Sequence, residues 1–224
     1  MKGSDFMSKG TKKWLISAGI CGGLFLTLIV LLLTVDVGYA VPHAPVGLST
    51  INGFVFETVG ENPEWETVSF ILLIVSVLIM LVQGICVFTK TIQTKKIGEM
   101  VVVGHSWFFA LVSYAIFELF VINYRPIVEY GGEIEASFPS THTLISVVVF
   151  GVMAVWLAYR LKRTFWKHLL IGALCAMALA AALARLMMGV HWLTDILGGM
   201  LLGGTIVSLC GAGFCFLRDK EAKA

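Results

Sequence analysis

The chain has 224 residues, of which 58% are hydrophobic and only 13% are charged, and its formal net charge is +2. This composition excludes an ordinary soluble domain and indicates an integral membrane protein, since a water-facing surface needs far more charge. Five cysteines lie in apolar stretches without CxxC spacing, so we expect small buried thiols rather than disulfides or a zinc site. One helical membrane domain, residues 1–224, accounts for the whole length.

Six apolar stretches are long enough to cross a bilayer, whose hydrocarbon core of about 30 Å needs roughly 20 helical residues. They are residues 14–35, 68–88, 101–122, 143–161, 169–188 and 193–217. The apolar part of the first stretch is longer than that of a signal peptide, so we expect a retained span. The pattern predicts an all-α, polytopic membrane protein with six transmembrane helices in one bundle.

The distribution of basic residues predicts the orientation of these spans. All but two of the 16 lysines and arginines lie in the two termini and in the second-to-third and fourth-to-fifth connections. The positive-inside rule therefore places both termini in the cytoplasm. The two exceptions, Arg125 and Arg185, lie at outer ends of spans, where an anionic ligand is the natural reason for them.

The first outer loop, residues 36–66, is long. Its segment 46–56 mixes apolar residues with Gly, Ser, Thr and Asn. An amphipathic helix on the outer surface and a plain loop both fit this pattern.

The stretch from Arg185 to Asp195 places three ionisable side chains in an apolar region, which is costly and usually functional. His191 and Asp195 are four residues apart, so on a helix they share a face and the carboxylate can orient the imidazole. Arg185 is six residues before His191, and Gly189 between them would let the backbone bend so that both side chains meet.

Two other segments bring matching groups to the same outer face. Pro126 is expected to end the third span, which leaves Arg125 at its outer mouth. Residues 139–142 (Pro-Ser-Thr-His) have the pattern of a helix start, and a helix N-terminus favours phosphate. This set of groups fits phosphoryl transfer, in which two arginines stabilise phosphate charge while His191 attacks phosphorus and His142 transfers protons.

A metal-dependent reaction is the alternative for two histidines and an aspartate. Two adjacent arginines would repel a cation, so we expect no metal and no cofactor. The expected partners are a lipid phosphate substrate and the surrounding membrane lipids, with no nucleic acid.

The same residues also resemble a known family. Arg125-Pro126, residues 139–142 and Arg185-x5-His191-x3-Asp195 are similar to the three-part signature of the type 2 phosphatidic acid phosphatase superfamily, in particular its bacterial undecaprenyl diphosphate and phosphatidylglycerol phosphate phosphatases. The similarity covers residues 118–199 directly. It implies a helical membrane enzyme that removes phosphate from lipid phosphates or diphosphates at the outer face through a phosphohistidine.

The resemblance also implies a role for each matched residue. It makes His191 the nucleophile, Asp195 the residue that orients it and His142 the acid and base. The implied phosphate ligands are Arg125, Ser140, Thr141 and Arg185.

Three positions depart from the family signature. Thr141 replaces a glycine, Ala184 replaces a serine, and Glu118 stands where the family has a lysine. Glu118 has three interpretations: an ion pair that anchors Arg125 or Arg185, a contact with a cationic or hydroxyl-bearing head group, or lost activity.

The function that follows is a metal-independent lipid phosphatase in the cell membrane with an extracytoplasmic active site. Candidate substrates are undecaprenyl diphosphate, phosphatidylglycerol phosphate and phosphatidic acid, which share the same phosphate chemistry. The alternatives are a phosphotransferase of the same fold and a non-catalytic component that binds or transports lipids.

Overall fold

The computed structural model describes residues 7–41, 43–127 and 134–223. This part of the chain contains seven helices and one two-stranded antiparallel sheet. In chain order they are α1 (Lys9–Thr34), β1 (Gly38–Val41), β2 (Ala44–Val46), α2 (Ser49–Val59), α3 (Glu64–Thr94), α4 (Gly98–Leu119), α5 (Thr141–Arg160), α6 (Phe165–Met187) and α7 (Leu193–Glu221).

Every helix except α2 is long and apolar enough to cross a membrane. The prediction of an all-α, multi-pass membrane protein with six spans in one bundle is therefore confirmed. Several helices extend beyond the predicted apolar stretches, and α3 runs for 31 residues. The reason is that polar residues continue a helix beyond the hydrocarbon layer, where water replaces lipid around the side chains.

The centre of the bundle is formed by α7, which packs against α1 and α5. Small residues allow the close approach of α7 to α5. A Cβ atom at Gly199 would lie 2.9 Å from the Ser140 carbonyl oxygen, and one at Gly203 would lie 2.7 Å from Val147 Cγ1. These glycines bring the beginnings of α5 and α7 together, which is where the candidate site lies.

The long outer loop contains both a hairpin and a helix. Strands β1 and β2 pair in antiparallel fashion, and α2 follows. Of the two interpretations of residues 46–56, the helix is the one observed, shifted to Ser49–Val59. Asp36 Oδ2 accepts a hydrogen bond from the Thr50 amide (2.7 Å) and Oδ1 accepts one from the Ser49 hydroxyl (3.0 Å). These bonds stabilise the charged form and lower the pKa of Asp36.

The end of the bundle away from the site, here called the far end, carries a network of paired charges around Glu99. The carboxylate of Glu99 is bound by Lys90 of α3 and by the Trp156 indole of α5 (3.0 Å), and Arg160 Nη1 lies 3.7 Å away. Its side chain is buried. The network thus ties three helices together where α4 begins.

Candidate active site

The connection between α6 and α7 positions His191. It turns at Gly189, whose φ is +80° and where a Cβ atom would lie 2.7 Å from the Gly60 carbonyl oxygen, so only glycine fits. The sequence indicated that His191 and Asp195 would share a face if both lay on a helix, but α7 begins at Leu193 and leaves His191 in the connection. The two side chains nevertheless meet, with His191 Nδ1 3.5 Å from Asp195 Oδ2.

Asp195 is fully buried in the first turn of α7. Its Oδ2 accepts a hydrogen bond from the Trp192 amide (2.9 Å), which holds the carboxylate back toward His191. Its carbonyl oxygen accepts one from the Ser140 amide (3.0 Å). The first turn of α7 is therefore fixed both to the preceding connection and to the start of α5.

Helix α5 begins directly after Ser140, as the sequence predicted. Thr141 and His142 in its first turn line a cavity of about 880 Å³ together with His191. Ser140 is fully buried, and its hydroxyl accepts a hydrogen bond from the Thr143 hydroxyl (3.1 Å). Of the two predicted phosphate ligands here, Thr141 lines the cavity. The Ser140 amide and hydroxyl are instead used in hydrogen bonds that hold the start of α5 in place.

Arg125 lies in an extended segment rather than at the mouth of a helix. The sequence predicted that Pro126 ends the third span and leaves Arg125 at its outer mouth; in fact α4 ends at Leu119. The following backbone pairs with a returning segment instead. Tyr124 forms a bridge with Ala136, and the Arg125 amide donates to the Glu135 carbonyl oxygen (3.1 Å).

The Arg125 side chain also pairs with Glu135, since Nη2 lies 2.9 Å from Oε2. Arg125 lines the 880 Å³ cavity and also a second cavity of about 550 Å³. His142 lines both cavities too, so these two side chains stand where the cavities meet. This position gives Arg125 access to an anion beside His191.

Arg185 lies in the last turn of α6 and is 6% exposed. It lines the 550 Å³ cavity beside Met188, whose sulfur accepts a hydrogen bond from Nη1 (3.4 Å). Arg185, Arg125 and His191 are all within electrostatic range of His142. The structure therefore brings the two arginines and the two histidines around one pair of joined cavities.

The surroundings of His191 favour a neutral imidazole. Burial lowers the pKa of His191 well below its usual range, and the charges of Arg185 and Arg125 lower it further. A histidine nucleophile must be unprotonated to attack. At neutral pH the ring has the protonation state that this role requires.

Glu118 is exposed and lines the larger cavity. Across residues 7–41, 43–127 and 134–223 it forms no ion pair with Arg125 or Arg185, and the carboxylate that Arg125 contacts there is that of Glu135. The anchoring interpretation of Glu118 thus has no supporting contact, and a carboxylate facing the cavity fits the head-group interpretation.

The sequence did not indicate that Glu135 and Asn52 lie near the site. Glu135 reads as a solvated loop charge, and only its position three residues before Phe138 hinted at proximity. Asn52 gave no signal at all, because a single asparagine in a long loop is ordinary. Its side chain is fully buried against Thr194.

Within the described ranges, no group of three His, Cys, Asp or Glu side chains is arranged to hold a metal ion. The expectation of a metal-independent reaction stays a prediction.

The fold and site define a six-span helical membrane protein with a buried His–Asp pair beside two arginines. A family model described as the PAP2 superfamily matches residues 79–214, which is more than half of the sequence, and the chain belongs to this superfamily. The resemblance drawn from the three motifs is therefore confirmed. Membership supports a lipid phosphatase as the general class of activity.

A solved structure has the same fold. It is described as the first transmembrane PAP2 type phosphatidylglycerolphosphate phosphatase from Bacillus subtilis. The match has a TM-score of 0.65 and 17% sequence identity, and it covers 92% of this chain and 96% of that one. No curated protein matches the sequence significantly.

Proposed function

We propose that the protein is a metal-independent phosphatase that hydrolyses a lipid phosphate or diphosphate through a phosphohistidine intermediate on His191. One observation carries this proposal. The buried imidazole of His191, held beside Asp195, forms part of the wall of a cavity that also contains Arg125 and His142.

In the first step, Nε2 of His191 attacks the phosphorus atom. A P–N bond forms and the bond between phosphorus and the lipid oxygen breaks. Protonated His142 donates its proton to the leaving oxygen. Arg125 and Arg185 stabilise the charge on the equatorial phosphate oxygens, which is the main contribution of a protein to phosphoryl transfer.

In the second step, neutral His142 takes a proton from water, and the water oxygen attacks phosphorus. The P–N bond breaks, inorganic phosphate is released, and His191 returns to its neutral form. Asp195 orients the ring and stabilises the positive charge that it carries as a phosphohistidine. Both histidines therefore end the cycle in the protonation states in which they began.

A lipid substrate is supported by an apolar groove of about 470 Å³ among α3, α4 and α5. The groove shares Leu111, Tyr114 and Ile145 with the 880 Å³ cavity, so the two are continuous. A hydrocarbon chain in the groove would leave its phosphate near His191. Undecaprenyl diphosphate, phosphatidylglycerol phosphate and phosphatidic acid all satisfy this arrangement, and the name of the Bacillus subtilis relative adds weight to the second.

The active site is proposed to face away from the cytoplasm, with both termini inside. The basis is the charge distribution, because all but two of the basic residues lie away from the site. Arg125 and Arg185 are the two exceptions, and in the proposed reaction both stabilise charge on the phosphate oxygens.

The test is phosphate release by the purified protein in detergent with EDTA, from each of the three candidate lipids. We expect release by the wild type and none by His191→Ala. Quenching in alkaline SDS, with lipid labelled at its phosphate, should trap label on the wild type but not on His191→Ala, since a phosphohistidine is hydrolysed in acid. His105→Ala is the matched control, since His105 is exposed on α4 with Nδ1 2.7 Å from the Val101 carbonyl oxygen.

Three other outcomes would overturn the proposal. Release that survives in His191→Ala would remove the phosphohistidine. Release that occurs only with an added acceptor lipid would indicate a phosphotransferase. Binding of every lipid without release of phosphate would indicate a binding or transport component.

A further inference from the structure

The first turn of α7 is incompletely capped by its own residues. The Asp195 carboxylate accepts a hydrogen bond from the Trp192 amide, which is one half of a capping box. The other half requires a side-chain oxygen on Trp192 that accepts from an amide of the first turn. An indole has no such oxygen, so the Thr194 amide needs an acceptor from elsewhere in the molecule.

Asn52 of α2 supplies that acceptor from a distant part of the chain. Its Oδ1 accepts a hydrogen bond from the Thr194 amide (3.2 Å). Its Nδ2 donates to the Thr194 hydroxyl (2.9 Å) and to the Gly47 carbonyl oxygen (2.9 Å). The side chain is fully buried, and both ends of its amide are used in these bonds. Asn52 therefore caps α7 as an N-cap residue would.

The same network reaches the segment that carries Arg125. The Gly47 amide donates to Asn123 Oδ1 (2.9 Å), and Asn123 Nδ2 lies 3.5 Å from the Thr194 hydroxyl. Asn123 is two residues before Arg125, and Thr194 immediately precedes Asp195. A small movement of Asn52 would therefore be transmitted to both sides of the proposed phosphate site.

Aromatic contacts hold α2 in place over the α6–α7 connection. The rings of Phe56 and Trp192 lie 5.6 Å apart, and Trp192 Nε1 donates to the Tyr124 carbonyl oxygen (2.6 Å). Asn62, just after α2, donates to the Met187 carbonyl oxygen at the end of α6 (2.9 Å). The outer helix is thus attached to both sides of the connection that carries His191.

We propose that Asn52 is a positioning residue for the phosphoryl transfer: by capping α7 through Thr194 it fixes Asp195, and with it His191, in the orientation needed for attack. This inference rests on the proposed role of His191. Asn52 is not among the residues that line the two joined cavities, and it reaches the site through Thr194 and, by way of Gly47, through Asn123. Its loss should slow the chemical step and leave substrate binding largely intact.

The experiment compares Asn52→Ala and Thr194→Val with the wild type in purified, folded protein. Thr194→Val keeps the amide and removes the hydroxyl. A displacement of reacting groups by about 1 Å costs up to about a hundredfold in rate. We expect kcat of Asn52→Ala to fall by roughly tenfold to a hundredfold, with KM and the measured lipid affinity close to wild type. Single-turnover labelling of His191 should slow by the same factor.

Three further variants separate positioning from general stability. Thr58→Ala is the matched control on α2, because Thr58 is exposed and its hydroxyl donates to the Phe54 carbonyl oxygen of the same helix. It should have wild-type kcat. Thr194→Ser keeps the hydroxyl and should recover the activity that Thr194→Val loses. Because Asn52 and Thr194 bond each other directly, the rate losses of Asn52→Ala and Thr194→Val should not multiply in the double variant.

The inference is overturned if folded Asn52→Ala and Thr194→Val both keep kcat near that of the wild type. It is equally overturned if kcat falls only in proportion to the folded fraction. Should Asn52→Ala fail to fold, Thr194→Val and Thr194→Ser decide the question. A wild type that releases no phosphate from any lipid would instead remove the proposed function, and Asn52 would then have no reaction to serve.

Discussion

The two ends of the bundle differ in how their charged side chains are arranged. At the far end, Glu99 is bound by Lys90 and lies near Arg160, so opposite charges satisfy one another. At the site end, Arg125, Arg185 and two histidines are gathered around joined cavities of about 880 and 550 Å³. The first arrangement fastens helices together. The second concentrates positive potential where an anion can enter.

This difference shows which buried charges have a structural role and which have a chemical one. A buried charge with a partner of opposite sign and no adjacent cavity is accounted for by packing. Arg125 also has a carboxylate partner in Glu135 (2.9 Å), but it lines two cavities that a ligand can enter, so packing alone does not account for its position. Variants at the two ends should therefore separate into those that affect activity and those that affect stability.

The largest expected effect is that of Arg185→Gln at the site end. Removing one charge-stabilising donor costs about 10²–10³ in rate in comparable sites, and we expect a loss of that size in kcat/KM. Activity is compared per folded molecule, because Arg185 is buried and its replacement also removes the hydrogen bond to Met188. The measurement is phosphate release alongside thermal unfolding in detergent.

The control for Arg185→Gln is Arg218→Gln near the C-terminal end of α7, where the guanidinium lies 5.6 Å from the centre of the Tyr159 ring. It should retain kcat/KM within about threefold, since a cation–π contact contributes about 0.5–1 kcal/mol at an exposed site and is remote from the cavity. Equal losses of activity in both variants would contradict the division between the two ends.

The second effect is that of Glu99→Gln at the far end. It leaves Lys90 without its carboxylate partner and should lower the free energy of unfolding by about 1–3 kcal/mol. Activity per folded molecule should not change. Glu221→Gln serves as the control, because the Glu221–Lys96 pair (3.3 Å) is exposed and should contribute less than about 1 kcal/mol. A loss of kcat in folded Glu99→Gln would show that the far end communicates with the site.

The sequence predicted the six spans and singled out the candidate site residues because both depend on strong local signals. Apolar length defines a span, and an arginine or histidine in an apolar stretch is costly enough to be noticed. It did not predict where α4 ends, because Pro126 is the only breaker nearby and the helix stops at Leu119. Beyond the end of the helix, Tyr124 pairs with Ala136, a non-local contact that local sequence signals do not reveal.

The sequence could not predict the role of Asn52, because that role also depends on a non-local contact. Its partner Thr194 is 142 positions away, and no periodicity links the two residues. The His191–Asp195 contact was predicted for a reason that proved wrong. The two side chains meet across the start of a helix, held by the hydrogen bond to the Trp192 amide, and do not lie on one helical face.

A third and smaller effect should follow from charge reversal at Glu118. Glu118→Lys adds a cation to the larger cavity and should raise kcat/KM for a diphosphate lipid over a monophosphate lipid by about two- to fivefold, as expected for an exposed charge pair. Glu118→Gln should fall between the wild type and Glu118→Lys. Identical substrate ratios in all three proteins would remove Glu118 from substrate recognition.

The smallest effect is the expected response of the wild type to mild acid. Burial, Arg185 and Arg125 lower the pKa of His191, so the ring stays neutral as pH falls through 6.5, the ordinary value for histidine. The nucleophile is lost only when pH falls through the lowered pKa. The rate of phosphohistidine formation should therefore not fall between pH 7.5 and 5.5, where an ordinary histidine nucleophile would lose about tenfold, because protonation of the acid His142 can only raise it.

Charged and titratable groups from four segments lie around His191: Arg185 of α6, Arg125 of the extended segment, His142 of α5 and Asp195 of α7. A hydrogen bond with the Ser137 backbone favours the protonated ring and raises the pKa of His191, but it is outweighed by burial and the two arginines. In Arg185→Gln one of the lowering charges is gone, so the acid limb of its residual activity should move to higher pH. Single-turnover labelling of the wild type and of Arg185→Gln across the pH range measures the acid limb of each protein. A wild-type limb at pH 6.5 that is unmoved in Arg185→Gln would mean that the arginines do not control the protonation of His191.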